Sequence, residues 1–290
     1  ILDEALDHNL TLLLEGRADD IAAKTDIRNT LKHFGAEHYV RARQRGYVLY
    51  VEGGTDLDML RALANRLGHP VAQVWDERVN AFYVQNNYPD QSSEAELARV
   101  EGGFGVTPKE HFFGLREMVP GLMGLAILDN DGRDRAGFNE GGLEVVYWRR
   151  YEAENYFITP EVLRAFVAEH YGNMELFNAF RDETNEVLEQ LIQERVFAGS
   201  VEDFETWRSA PPDAARLLWE AKTERLKLSD FAEEFFRRLA AKLGHAMLLK
   251  KGDLHQLVAF SGPAKIPQEV GEKLARLKVL FDNSRPSEEA

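Results

Sequence analysis

Short apolar runs alternate along the chain with segments whose apolar positions recur every three or four residues. Tyr47–Val51 (YVLYV), 79–84 (VNAFYV), Gly124–Leu128 (GLAIL) and Leu143–Trp148 (LEVVYW) are of the first kind, and Val71–Trp75 is read with them. Runs apolar on both faces predict strands covered on both sides, as in a parallel sheet. Between them Leu57, Leu60, Leu63 and Leu67 predict a helix over Asp56–Leu67, closed by Gly68-His69-Pro70. A second helix is predicted from Thr107-Pro108, after the glycine-rich GGFG at Gly102–Gly105 and a polar loop, NNYPDQSSEAE.

The two ends of this alternation read differently. Residues 1–45 show helical spacing at Leu2, Leu6, Leu10, Leu13 and Leu14 and finish in the basic run RARQRG, with Gly46 as a stop. That run is expected to be a solvated helix end, where cations suit the dipole, or else a functional patch. From Pro160 to Gly244 no strand pattern is left. Three to five helices are predicted there, broken at Gly199 and Pro211-Pro212, with Phe166, Phe177, Phe180, Phe231, Phe235 and Phe236 as core rather than a stacking platform. HAMLLKKGDLHQLVAF, from His245, reads as a last strand, a turn and a helix, before a frayed tail. The expected organisation is α/β: an N-terminal helical segment (1–45), a parallel-sheet domain flanked by helices (46–160), an inserted all-helical subdomain (161–244), and a segment completing the sheet domain (245–290).

Composition narrows the classes. With 290 residues, 44% hydrophobic and 29% charged, the chain has the material for a large core. It contains no apolar run near the roughly 18 residues of a membrane span, so no membrane partner is expected, and no basic leader. Cysteine is absent, which removes disulfides and thiolate metal sites and agrees with a reducing cytoplasm. The chain starts at Ile1 inside a helical pattern and is expected to be a piece of a longer protein. A net charge of −14 opposes simple phosphate gripping, unless the acid is concentrated in a cation site.

The acids are placed in just that way. Tyr47–Val51 runs into Glu52, two glycines and Asp56; GLAIL runs into Asp129-Asn130-Asp131-Gly132; LEVVYW runs into Glu152 and Glu154. Carboxyl ends of parallel strands share one edge, where ligands bind. Six carboxylates there would repel one another unless cations held them, and hard oxygen donors suit Mg²⁺ or Mn²⁺. Gly53-Gly54 lets the chain turn, Asp56 falls in the first helical turn, and Asp129 and Asp131 would point the same way from an extended strand end. Each cluster also has a plainer reading, as an early-helix acid or a surface turn.

VEGGTD and LAILDNDG, in this order, resemble the Toprim domain of topoisomerases, bacterial primases and related nucleases. WRRYEAENYFITPEVL is further similar to a segment of the OLD (overcoming lysogenization defect) nucleases, over residues 47–160 and again about 245–260. The Glu52-x-x-x-Asp56 spacing suggests their class 2 branch, some of whose members pair with a helicase in Gabija phage defence.

The resemblance implies a bacterial, cytoplasmic, two-metal DNA nuclease, with Mg²⁺ or Mn²⁺ as cofactor and Ca²⁺ also bound. It implies an N-terminal ABC-type ATPase half as partner; no G-x-x-x-x-G-K-[ST] is present here, and GGFG is no substitute. By carry-over Glu52, Asp129 and Asp131 bind metal, Asp56 and Glu154 complete a second site, and Glu152 is the less secure of that last pair. A lysine near Lys250 and Lys251 faces the phosphate, with Lys251 favoured. Arg133, Arg135, Arg149 and Arg150 are expected to contact the DNA backbone. His111 and His255 are expected to be surface or core residues. The alternatives are a non-catalytic Toprim binding or assembly module, and a topoisomerase or primase. Against the last pair stand the missing cysteines and the lack of any marked nucleophile among tyrosines such as Tyr156.

Overall fold

The computed structural model describes the backbone of residues 11–14 and 17–20, and residues 36–83, 107–171 and 177–283. Strands β1 (Thr11–Leu14) and β2 (Arg17–Asp20) pair antiparallel, Leu14 opposite Arg17. The helical spacing expected through Leu13 and Leu14 therefore gives way to two paired strands. Leu2, Leu6 and Leu10 lie outside the described residues, as do GGFG and the polar loop before it. Helix α1 (Ala36–Arg45) ends at Gly46, which has φ 72°. Its basic run is not merely solvated: Arg41 donates to Asn80 Oδ1 (3.0 Å) and Ala81 O (2.9 Å) and lies 4.6 Å from the centre of the Phe82 ring.

The main sheet has five strands: β3 (Tyr47–Val51), β4 (Ala81–Tyr83), β5 (Met123–Leu128), β6 (Phe138–Glu140) and β7 (Leu143–Tyr147), in the order β4-β3-β5-β7-β6. β4, β3, β5 and β7 run parallel, as the apolar runs predict; β6 adds an antiparallel edge. That edge was not foreseen in the pattern, because β6 has three mostly exposed residues and no apolar run. It returns to β7 through Gly141 and Gly142, both at positive φ, where glycine meets no Cβ penalty.

Both sheet faces are covered. Tyr47, Leu49, Val51, Leu125 and Ile127 point into one core, and Val48, Tyr50, Ala126, Leu128 and Val145 into the other. α1 and α4 (Pro108–Met118) cover the second face, α4 opening with the Thr107–Glu110 capping box that Thr107-Pro108 announces. α2 (Gly54–Arg66) and the C-terminal helix α10 (Gln268–Asn283) lie on the first.

Two predicted strands are absent. Pro70–Val74 is a 3₁₀ turn leading into α3 (Trp75–Arg78), where a strand was expected over Val71–Trp75. Pro70 fixes φ and has no N–H to give a sheet, and the His69 ring accepts from Val71 N (3.3 Å), so the segment coils while burying Val71 and Trp75. The strand expected after His245 is irregular chain followed by 3₁₀ turns over Lys251–Phe260. Its apolar residues Leu254, Leu257 and Val258 join the core under α2 instead of extending the sheet.

The helical segment forms α5 (Pro160–Tyr171), α6 (Phe177–Arg195), α7 (Val201–Ser209), α8 (Pro212–Thr223) and α9 (Leu228–Leu243), with breaks at Gly199 and Pro211-Pro212 as expected. Phe166, Phe180, Phe231, Phe235 and Phe236 are core, and the side chain of Phe177 lies outside the described set. This segment shares one continuous apolar core with the sheet face beneath α2.

Candidate functional site

Because β3, β5 and β7 are parallel, the residues that follow them emerge on one edge, and the acidic residues meet there. Glu52 leaves β3 and its Oε1 accepts from the backbone N–H of Asp129 (3.0 Å), just past β5. Gly53-Gly54 turns the chain into α2, and the Asp56 carboxylate folds back on Gly53 N–H (2.8 Å), closing the helix start. After β7, Tyr151 O accepts from both Asn130 and Asp131 N–H (3.1 and 3.0 Å), which draws the 148–156 segment onto the β5 loop. Glu154 then sits in the 3₁₀ turn Ala153–Tyr156, buried.

Asp129 illustrates the electrostatic result. Burial raises its carboxyl well above the usual range, and the charges of Glu52, Asp56, Glu154 and Glu152 raise it further. Burial, then Glu52, drives Asp56 up to about 7 against the bonds its backbone neighbours give it. Burial and Glu152 drive Glu154 up to about 8, with Lys251 pulling the other way. Five carboxylates thus act on one another across a small space whose described cations are few.

Two predicted members are placed differently. Asp131 lies in the left-handed region (φ 53°) in a turn, so the extended geometry that would align it with Asp129 is lost, and its carboxylate pairs with Arg135 at 3.4 Å. Asn130-Asp131-Gly132 makes such a turn easy, since Asp tolerates this conformation and Gly132 continues it at φ 69°. Glu152, only 3% exposed, accepts from Ser229 N–H (2.6 Å) and Ser229 Oγ (3.0 Å). It therefore caps the first turn of α9 from another part of the chain. Among the described residues no group of three or more acidic or histidine side chains stands closed as a ready ligand set.

Of the lysines, Lys251 is ion-paired with Asp230 while its charge reaches Glu152 and Glu154. Lys250 is exposed beside it. The arginines differ. Arg133 is exposed. Arg135 is largely buried, donates to Asp129 O (3.3 Å) and lies over the Tyr147 ring. Arg150 donates to Asn155 O (2.6 Å), pairs with Glu220 (3.4 Å) and lies over Tyr156. Arg149 is 74% exposed but pairs with Glu269 and Glu272.

Sequence reasoning missed the structural frame around these groups. Tyr156 OH donates to Glu269 Oε2 (2.5 Å), Arg149 N–H to Glu269 Oε1 (3.0 Å), and Lys273 Nζ to Tyr147 O (2.6 Å), tying the end of β7 to α10. Burial and the bond to Glu269 push the Tyr156 phenol far above its usual range, so this tyrosine is a buried strut. No local signal marks Glu269 or Lys273, since they look like an ordinary i,i+4 pair on a helix surface. His111 is core: fully buried, it meets Tyr50 OH (2.8 Å) and His38 Nδ1 (2.8 Å). His255 is half-buried, its Nδ1 without a hydrogen-bond partner among the described residues.

Fold and site define an α/β protein with a mostly parallel sheet and an edge of mutually repelling carboxylates at the carboxyl ends of its strands. Compared with protein-family models and with curated proteins, the chain gives no match. Among the described residues no helix is long and apolar enough to cross a membrane.

Proposed function

We propose that this chain is the catalytic part of a Toprim-type, metal-dependent DNA nuclease of the kind the OLD family comprises, normally governed by an ATPase half. The observation that carries the reading is the charge of the strand-end cluster. Glu52, Asp56, Asp129 and Glu154 come from three parallel strand ends, and burial with mutual repulsion raises three of them strongly. An all-oxygen set with that excess of negative charge fits a hard divalent cation in chemistry, and binding such an ion would relieve the repulsion.

Glu52, Asp56, Asp129 and Glu154 would hold Mg²⁺ or Mn²⁺, with Ca²⁺ as a binding substitute. When bound, the metal pair supplies activation of a water and charge stabilisation for phosphodiester hydrolysis. The chain's own part is to hold these carboxylates together where three parallel strands end. Glu52 is oriented by Asp129 N–H and Asp56 by Gly53 N–H. Lys251 contributes positive charge beside Glu154, where an anionic phosphate would develop further charge. Asp131 and Glu152 act at one remove, through Arg135 and Ser229. A topoisomerase reading through Tyr156 is disfavoured, because that hydroxyl is buried and bound to Glu269.

One observation favours a second reading, a non-catalytic Toprim binding module: Glu52, Asp56 and Glu152 already accept internal hydrogen bonds. One experiment separates the two. Supercoiled plasmid is incubated with the chain and with Glu52→Ala, in EDTA, Mg²⁺, Mn²⁺ and Ca²⁺, while calorimetry follows metal binding. Metal-dependent nicking lost in Glu52→Ala supports the nuclease. Metal binding unchanged by Glu52→Ala, with no nicking, would exclude it.

A further inference from the structure

We propose that the turn joining α8 to α9 supplies the site's contacts to the phosphate backbone of its nucleic-acid substrate, through Lys227 and Arg225. The inference rests on the nuclease reading and extends it: the helical insert becomes a wall of the site.

The turn is fixed to the acidic loop at several points. Tyr151 N–H donates to Glu224 O (2.9 Å). The Asn155 side chain donates to Thr223 O (2.7 Å) and Leu226 O (2.9 Å), and Asn155 is buried. Glu152 takes Ser229 N–H and Oγ. Residues 151, 152 and 155, flanking Glu154, are therefore bonded to 223–229, so the turn cannot shift without moving the loop. On its other side the Arg225 carbonyl lies close to Gly132, in the loop after Asp129.

Within the turn, side chains alternate. Leu226 and Leu228 pack inward, and Arg225 and Lys227 are exposed. Lys227 is near enough to Glu152, Asp230, Tyr151 and Asp131 for their charges to act on it. Neither Arg225 nor Lys227 makes an ion pair among the described residues. Three other cations near the edge are engaged: Lys251 by Asp230, Arg135 by Asp131, Arg150 by Glu220. In a chain of net charge −14, two uncommitted cations beside the acidic edge are suited to a polyanion that must approach it.

The test uses the full 290-residue chain. Binding of a fluorescent DNA duplex is measured by anisotropy in Ca²⁺ across a salt series, for the parent, the double variant Arg225→Ala/Lys227→Ala, and the swap Arg225→Lys/Lys227→Arg. Both side chains are exposed, and urea melts confirm that the variants fold. Each lost phosphate contact should make the log–log salt slope less negative by about 0.9, so the double variant should differ by about 1.8. Its deficit should then be about twelvefold larger at about 50 mM than at about 200 mM salt, and the swap should retain the parent slope. A double variant with the parent's affinity and slope, or with weaker binding at an unchanged slope, overturns this inference and leaves the nuclease reading standing. A parent chain that neither binds DNA nor cleaves it with any metal overturns both.

Discussion

Asp56 offers the sharpest test of the acidic edge. Its carboxyl rises from 3.8 to about 7, chiefly by burial and then by the charge of Glu52. The unfolded chain releases this proton near pH 4 and the folded chain only near pH 7, so the folded state binds more protons in between. Stability from this group is complete below pH 4 and drains away as pH rises through about 7. A rise of about three units corresponds to roughly 4 kcal/mol. Glu154, raised from 4.5 to about 8, adds a loss of the same sign and extends the window to about pH 8. The two carboxyls repel each other, so the terms do not simply add.

The assay is urea unfolding in EDTA at about pH 5, 7 and 8.5, for the parent and Asp56→Asn. The amide keeps an oxygen for Gly53 N–H but cannot ionise. The variant should exceed the parent by roughly 1.5–2 kcal/mol already at pH 5 and by up to roughly 4 kcal/mol at pH 8.5. Excess Mg²⁺ should restore the parent at pH 8.5 and help the variant less. Buried neutral histidines such as His111 act with the opposite sign at lower pH, and the comparison with the variant cancels them. A parent whose metal-free stability is flat or rising between pH 5 and 8.5, with Asp56→Asn no more stable, would refute this account of the site.

Three further outcomes are expected. Gly124→Ala would set a Cβ 2.7 Å from the Phe112 ring and 2.8 Å from Leu143, both fully buried, so thermal unfolding should show a loss of about 1–3 kcal/mol; an unchanged melting temperature would mean that this sheet face packs loosely. Tyr156→Phe leaves buried Glu269 without its shortest donor and should cost about 1–3 kcal/mol in urea, and a neutral result would remove the strut role. Protonating His111, which burial and then His38 hold well below the usual value, should break its chain to Tyr50 and His38; stability carried by its neutral form is lost as pH falls below about 6.5, and His111→Asn should flatten that acid limb in a melting series.

Much of the architecture was legible because it rests on local chemistry. Apolar runs without alternation marked β3, β5 and β7 as strands covered on both faces. Thr107-Pro108 with Glu110 marked the start of α4, and Gly199 and Pro211-Pro212 marked breaks among the helices. The order of strand and then acid, three times over, indicated that Glu52, Asp129 and Glu154 would meet, since parallel strands carry their ends to one edge. The segments misread were those in which an apolar run has two uses. Val71–Trp75 and the stretch after His245 are as apolar as a strand, but they fill core beneath α2 as coils, because burial rewards apolar area in any backbone form. β6 escaped notice because a three-residue edge strand needs only a neighbour to pair with.

Side-chain roles were decided by tertiary structure. Asp131 and Glu152 look like their neighbours in the sequence, yet a left-handed turn sends one to Arg135 and the approach of α9 gives the other to Ser229. Raised carboxyls at Asp56, Asp129 and Glu154 exist only once three distant segments are packed together, since desolvation and repulsion depend on distance through space and not along the chain. The sequence by itself determined which residue types would stand at the strand ends. Only the fold decided which of them remain a mutually repelling cluster, and which became caps and struts that hold it in place.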